Sequence, residues 1–248
     1  FSKITSSVIL SALGQSFFSL SLGMGCLITY GSYFNKKTNL PKTAVQVILV
    51  DVFVAVLAAV AIFPSVFSFG ITGVAGPTLA FISLPAIFNQ MFGGYFLAVA
   101  FFFLLVVAAI TSSISLLEVI TAYVTETYKV SRRKATIVIS LVIFALAVLS
   151  SLSLSKTELT FFGIKFFDIL DGFSSKILLP LGGLFIAIFT GWVFNSTLLF
   201  QEIEKGSKIS YTLFRGYLFL VRYISPLAIL LVFMHQLGVF TWIESWVK

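Results

Sequence analysis

The sequence predicts an all-α membrane protein. Of its 248 residues, 59% are hydrophobic and only 10% are charged, whereas a soluble domain of this size carries about 25% charged residues. The apolar residues also fall into six long runs, each near the roughly 20 residues that a helix needs to cross the hydrocarbon core of a bilayer. A chain of this composition cannot cover itself with polar surface, so lipid must be its main solvent.

Six membrane-spanning helices are expected within one transmembrane domain, residues 1–248. They are predicted as helices because backbone polar groups in lipid must be satisfied inside the segment. The predicted spans are 8–33, 43–68, 94–124, 134–153, 169–200 and 212–237. The loop 69–93 has no charged residue and contains two prolines. This composition favours a re-entrant external hairpin over a plain surface loop, which stays the alternative.

The distribution of basic residues sets the expected orientation. Short clusters of Lys and Arg follow the first, third and fifth spans, whereas the loop 69–93 has none. Because loops rich in Lys and Arg face the cytoplasm, the first span is expected to run from outside to inside. The net charge of +7 is therefore a topology signal rather than a nucleic-acid-binding face. The expected location is the cell inner (plasma) membrane.

The first span is interrupted by the sequence Gly23-Met24-Gly25. Irregular backbone at membrane depth survives only against protein or a water-filled cavity. The ends of a broken helix can present free N–H and C=O groups to ions and polar substrates. The alternative is that Gly23 and Gly25 simply let another helix approach closely, as small residues often do in membranes.

Polar residues in the next two spans favour a cation site. Thr111 and Ser112 lie in the middle of the third span beside Ala108, and hydroxyl and carbonyl oxygens suit a hard cation such as Na⁺. Asp51 lies about a third of the way into the second span, where a carboxylate is functional by default. Glu118, one to two turns beyond Ser112, is better explained by a structural hydrogen bond to a neighbouring helix.

Four segments resemble the neurotransmitter:sodium symporters, specifically their bacterial amino-acid transporters. Residues 14–33 (GQSFFSLSLGMGCLITYGSY) resemble the sixth helix of that family, which is unwound in its middle, and residues 109–115 (AITSSIS) resemble the eighth. Residues 76–88 (GPTLAFISLPAIF) and 222–227 (RYISPL) resemble the fourth external loop and the eleventh helix. The likeness covers essentially the whole chain.

This resemblance implies that the chain corresponds to helices six to eleven. The expected architecture is the second five-helix inverted repeat of the LeuT-type fold plus one additional helix, with the first helix unwound at mid-membrane. The chain begins without methionine, so we expect its beginning to be missing. The first five helices would come from the same protein or from a separate chain.

The implied function is sodium-coupled symport of a small, hydrophobic amino acid by alternating access, and not an enzymatic reaction. The residues that match the family's substrate site are Phe18, Ser19, Ser21, Gly23, Met24, Ser112 and Leu116. One sodium site would use Ala108, Thr111 and Ser112, and a second would use Ser19 and Asp51. The gate positions are Gln15, Phe18, Glu126 and Asp171. Asp51 stands where the family more commonly has asparagine, and this departure predicts that chloride is not required.

Two alternatives to a working symporter remain at this point. The chain could be a truncated fragment that is inactive alone or needs a separate chain for the first five helices. It could also be a channel subunit that uses the broken helix as a filter. The channel is less favoured, because two differently placed acids in one chain do not form a ring of like residues.

Overall fold

The structure, a computed structural model, describes residues 4–70, 76, 78–155, 159–207 and 209–239. Helices dominate it. The α-helices are α1 (Ser6–Ser19), α2 (Cys26–Ser32), α3 (Leu40–Ser68), α4 (Leu84–Phe88), α5 (Gly94–Tyr128), α6 (Arg132–Leu154), α7 (Phe166–Phe173), α8 (Leu179–Ile188), α9 (Ser196–Gly206), α10 (Tyr211–Phe219) and α11 (Ser225–Gln236). Wider, π-helical turns join or precede several of them: Leu79–Ser83, Ser174–Leu178, Phe189–Val193 and Leu220–Ile224.

Five continuous helical runs in the described part of the chain are long and apolar enough to cross a membrane. They are Leu40–Ser68, Gly94–Tyr128, Arg132–Leu154, Phe166–Val193 and Tyr211–Gln236. The first predicted span, 8–33, is absent from this set because it is divided into α1 and α2. Many large hydrophobic side chains on these runs are exposed, as expected for helices whose solvent is lipid.

The fifth predicted span, 169–200, differs from the helix that forms. The run ends at Val193, because Phe194 is extended (φ −71°, ψ 140°). Asn195 then caps a new helix, α9, as its side-chain oxygen accepts a hydrogen bond from the amide of Thr197 at 2.9 Å. Such an Asn cap offers the backbone an alternative to continuing the helix.

The described chain also contains a short β-hairpin. Strands β1 (Thr160–Phe161) and β2 (Ile164–Lys165) pair antiparallel, with Thr160 opposite Lys165. The two turn residues, Phe162 and Gly163, both have positive φ, which is the geometry of a tight two-residue hairpin turn. The hairpin leads directly into α7.

The contacts divide the described residues into two compact units. Unit 1 contains the residues up to Thr43 and those from Leu116 onward, and unit 2 contains Ala44 to Ser115. Helix α5 passes from unit 2 into unit 1 at Leu116.

Unit 2 has its own small core around the segment Leu79–Phe88. Val66, Leu84 and Ile87 are buried together, and other hydrophobic side chains, Ile62, Leu79, Phe88, Met91 and Phe101, pack against them. The core thus holds the segment against α3 and α5. The hairpin prediction for 69–93 falls partly on residues 71–75 and 77, which lie outside the described residues.

Unit 1 packs α1 and α8 against α11. Ile229 and Val232 of α11 and Leu179 of α8 are buried there. Gly14 of α1 lies close to α11, since a Cβ atom at Gly14 would be 2.6 Å from Nε2 of Gln236. This packing holds the C-terminal end of α1, where the predicted interruption begins, against two other helices.

Candidate substrate and cation sites

The predicted interruption of the first span is confirmed. Helix α1 ends at Ser19 and α2 begins at Cys26, so residues 20–25 form a coil between them. Three coil residues have positive φ: Ser21 (52°), Gly23 (83°) and Gly25 (81°). Glycine adopts this conformation freely, whereas Ser21 does so at a cost of about 1–2 kcal/mol. The break is therefore built into the sequence at its two glycines.

The coil leaves backbone oxygens available. The amides of Leu20 and Leu22 still donate to Ser16 and Phe17, at 3.0 and 2.9 Å. Beyond them, the carbonyl oxygens of residues 20–24 accept no backbone hydrogen bond from the part of the chain that the structure describes. Carbonyl oxygens without partners can coordinate a cation or accept a hydrogen bond from an ammonium group.

The predicted substrate residues of unit 1 cluster at this break. Phe18 and Ser19 end α1, and Ser21, Gly23 and Met24 lie in the coil. The Phe18 ring is 52% exposed, so it is not committed to the core of the unit.

Helix α5 meets the end of the coil that leads into α2. A Cβ atom at Gly25 would lie 3.3 Å from Cγ1 of Val119. Leu116, one of the two predicted substrate residues on this helix, precedes Val119 by three residues and therefore lies on the same face. The structure thus brings the coil and the Leu116 face of α5 together within unit 1.

The predicted cation ligands of unit 2 lie on α3 and α5. Asp51 is partly exposed on α3, and Ala108, Thr111 and Ser112 follow one another on α5. The Thr111 hydroxyl donates to the Ala108 carbonyl at 2.9 Å, so the two oxygens are close enough for one small cation to contact both. The Thr111 hydroxyl oxygen keeps lone pairs for a cation, whereas the Ala108 carbonyl also accepts the helical hydrogen bond of α5. This oxygen set fits Na⁺.

The predicted gate residues are all exposed side chains of unit 1. Gln15 lies on α1 one turn before Phe18, Glu126 lies near the end of α5, and Asp171 lies on α7. Asp171 lines an open groove of about 520 Å³. Exposure leaves these side chains free to act as gates, and that role stays a prediction.

The structure adds a polar cluster around Glu118 that was only partly foreseen. The Tyr33 hydroxyl donates to Oε1 of Glu118 at 2.6 Å, and Nη2 of Arg132 lies 2.5 Å from Oε2. The expected structural hydrogen bond of Glu118 to a neighbouring helix is thereby confirmed. The cluster ties the end of α2 to α5 and α6 on the side expected to be cytoplasmic. Tyr33 and Arg132 carry no local signal for this role, because they are 85 and 14 residues from Glu118.

A cavity of about 330 Å³ borders the coil within unit 1, and sequence reasoning missed it. The coil contributes Ser21, Leu22, Gly23 and Gly25 to its wall. The opposite wall comes from the helices of the last two spans, including Thr190, Tyr217 and Ser225. The coil therefore has two different surroundings within unit 1. At Gly25 it contacts α5, and on another side it faces the cavity that the last two spans line.

Comparisons with known proteins agree with this architecture. The family model described as the Sodium:neurotransmitter symporter family matches residues 1–245. An uncharacterised sodium-dependent transporter, YhdH, of Bacillus subtilis (strain 168) is 38% identical over 240 residues, which are 96% of this chain and 53% of the relative. One from Haemophilus influenzae is 43% identical over 241 residues, covering 96% of this chain and 52% of the relative.

A solved structure is also similar. The crystal structure of MhsT in complex with L-phenylalanine is 40% identical, with a TM-score of 0.82 over 92% of this chain and 52% of that one. The chain spans about half the length of the curated relatives it matches, their C-terminal portion. It is a multi-pass protein of the inner (plasma) membrane, and it falls among transporters, not enzymes.

The helix broken at two glycines and the family-model match across residues 1–245 lead to the same conclusion. The chain belongs to the sodium:neurotransmitter symporter family.

Proposed function

We propose that this chain supplies the C-terminal half of a symporter that moves a small hydrophobic amino acid together with Na⁺ by alternating access. The observation that carries the proposal is the coil of residues 20–25, whose carbonyl oxygens of residues 20–24 accept no backbone hydrogen bond within the described chain. Such oxygens are costly in a bilayer unless a ligand or water satisfies them.

The amino acid would bind at the coil. Its charged backbone groups would contact the coil beside Ser19, Ser21 and Gly23, including its open carbonyls, and the aromatic ring of Phe18 would close the site from outside. Met24 and Leu116 would contact the substrate side chain, with Ser112. A flexible methionine in this place supports an adaptable apolar pocket. The L-phenylalanine held by the similar solved structure supports a hydrophobic substrate.

Sodium would bind at two places. One ion would contact the oxygens of Ala108, Thr111 and Ser112, where the 2.9 Å hydroxyl–carbonyl pair supports a shared cation. The other would use Ser19 and Asp51, as in the family resemblance. The negative charge of Asp51 would take the place of chloride.

The sodium gradient would drive uptake. Each charge that crosses a potential of 100 mV supplies about 2.3 kcal/mol, and the concentration gradient adds to it. Asp171 would contribute to the external gate with Gln15 and Phe18, and Glu126 would contribute to the internal one. Because this chain covers about half of its relatives, the first five helices would come from the same protein or from a separate chain.

Uptake into proteoliposomes tests the proposal. We expect the complete transporter, with all of its helices, to accumulate a labelled hydrophobic amino acid when Na⁺ is outside and K⁺ inside. Replacing external Na⁺ with K⁺ should abolish accumulation. The 248-residue chain alone should give none, because both sites need the first helix. Steady uptake that does not saturate and does not depend on Na⁺ would instead favour a channel.

A further inference from the structure

The coil rests directly on the backbone of α8, a contact that sequence reasoning did not find. A Cβ atom at Gly23 would lie 2.3 Å from the carbonyl oxygen of Leu179 and 2.7 Å from the amide nitrogen of Gly183. A Cβ atom at Gly182 would lie 2.3 Å from the carbonyl oxygen of Gly23. Each glycine therefore occupies a place where any side chain would collide with the backbone of the other segment.

The contact is reciprocal. The hydrogen on Gly182 that replaces a side chain points at the Gly23 carbonyl, and the corresponding hydrogen on Gly23 points at the Leu179 carbonyl. Contacts of this kind, Cα–H to carbonyl oxygen, recur where helix backbones touch. Gly23 therefore fulfils both interpretations of the glycines. Its positive φ breaks the helix, and its missing side chain lets α8 approach closely.

This contact matters because the backbone hydrogen bonds of the coil lie at its two ends, where amides up to Leu22 donate to α1 and Gly25 accepts from Thr29. The carbonyl oxygens of residues 20–24 accept no backbone hydrogen bond within the described chain, so no local ladder sets their direction. At Gly23 the orientation of the peptide is set by the surface of α8 instead. A displacement of α8 by the width of one methyl group would turn the Gly23 carbonyl and, with it, the neighbouring peptides of Leu22 and Met24.

We propose that Gly182 and Gly183 are positioning residues for the substrate and sodium sites, holding the coil in its binding geometry through Gly23. The proposal rests on the proposed function, since it assigns the coil to those sites. The backbone of Gly182 contacts the coil directly, at Gly23. Gly183 lies against Phe17, the residue before Phe18, since a Cβ atom at Gly183 would lie 3.0 Å from Cε1 of the Phe17 ring.

The test compares Gly182→Ala with Gly216→Ala. Gly216 lies in α10 and has no atom within 4 Å of the place that a Cβ would occupy, so within this chain its substitution adds the same methyl group without a collision. The added methyl at Gly182 must push the Gly23 carbonyl away. We expect the half-saturating concentrations of Na⁺ and amino acid to rise about tenfold, or about 1.4 kcal/mol, at an unchanged amount of folded transporter.

A second readout is independent of transport. Cys26 directly follows the coil and is only 4% exposed, so its reaction with N-ethylmaleimide, measured on the peptide that contains it, reports displacement of the coil. We expect Gly182→Ala to speed this reaction several-fold and Gly216→Ala to leave it unchanged. The milder Gly183→Ala, whose methyl meets only a ring edge that can shift, should give an intermediate result.

The outcomes separate the two proposals. If the unmodified complete transporter shows no Na⁺-dependent uptake, the proposed function is wrong. The rate of the Cys26 reaction still tests whether Gly182 holds the coil in place. If Gly182→Ala folds and matches Gly216→Ala in both readouts, the positioning role is wrong. If Gly182→Ala does not fold, Gly183→Ala decides: wild-type half-saturation and a wild-type Cys26 rate would overturn the proposal.

Discussion

Replacing Thr111 with valine is expected to raise the Na⁺ concentration for half-maximal uptake about tenfold, a loss of about 1.4 kcal/mol of binding free energy. Valine keeps the branched shape of threonine but removes Oγ1, which lies 2.9 Å from the Ala108 carbonyl oxygen. A cation that contacts both oxygens would lose one ligand. The half-saturating Na⁺ concentration is measured by uptake into proteoliposomes at a saturating amino-acid concentration.

Ser113→Ala is the matched control. Ser113 stands two residues further along α5, and its hydroxyl donates to the Ala109 carbonyl at 2.8 Å, the same kind of bond that Thr111 makes. It has no proposed role in coordination. We expect the Ser113→Ala transporter to keep the wild-type Na⁺ requirement. Equal Na⁺ requirements in Thr111→Val and Ser113→Ala would remove Thr111 from the cation site.

Replacing Asp51 with asparagine is expected to make uptake depend on chloride. The carboxylate supplies a fixed negative charge inside the second predicted span, and such charges are retained in a bilayer when they serve an ion. Asparagine keeps the size and one oxygen ligand but removes the charge, so an anion from solution would have to replace it. Uptake is compared in chloride and in gluconate at constant Na⁺.

The expected pattern has two parts. The unmodified transporter should work equally well in both salts, and Asp51→Asn should lose several-fold of its uptake in gluconate only. Asp168→Asn is the control, because Asp168 lies in the first turn of α7 and has no proposed role in ion binding. A chloride requirement in the unmodified transporter would refute the role assigned to Asp51.

The break in the first span could be predicted because its cause is local. Gly23 and Gly25 adopt positive φ, a conformation that other residues rarely take, and two such residues in an apolar run mark an interruption directly. Apolar runs likewise locate helices within a few residues, as with Leu40–Ser68 against the predicted 43–68.

The end of the fifth span could not be placed in this way. Apolar residues resume at Leu198, after the short polar stretch that begins at Asn195, so hydropathy continued the helix, whereas the Asn195 cap ended it. Contacts between segments that are far apart in the sequence could not be predicted either. Gly182 is an ordinary small residue in the sequence, and its importance appears only when the Gly23 carbonyl lies 2.3 Å from its missing Cβ.

The coil and the hydroxyl-bearing turn of α5 should both be protected when ligand binds. Hydrogen–deuterium exchange of the complete transporter measures this directly. When Na⁺ and a hydrophobic amino acid are present together, we predict slower exchange in two segments, residues 20–26 and 108–113, than with K⁺ and the same amino acid. Identical exchange in both segments under the two conditions, at ligand concentrations that saturate uptake, would contradict the account.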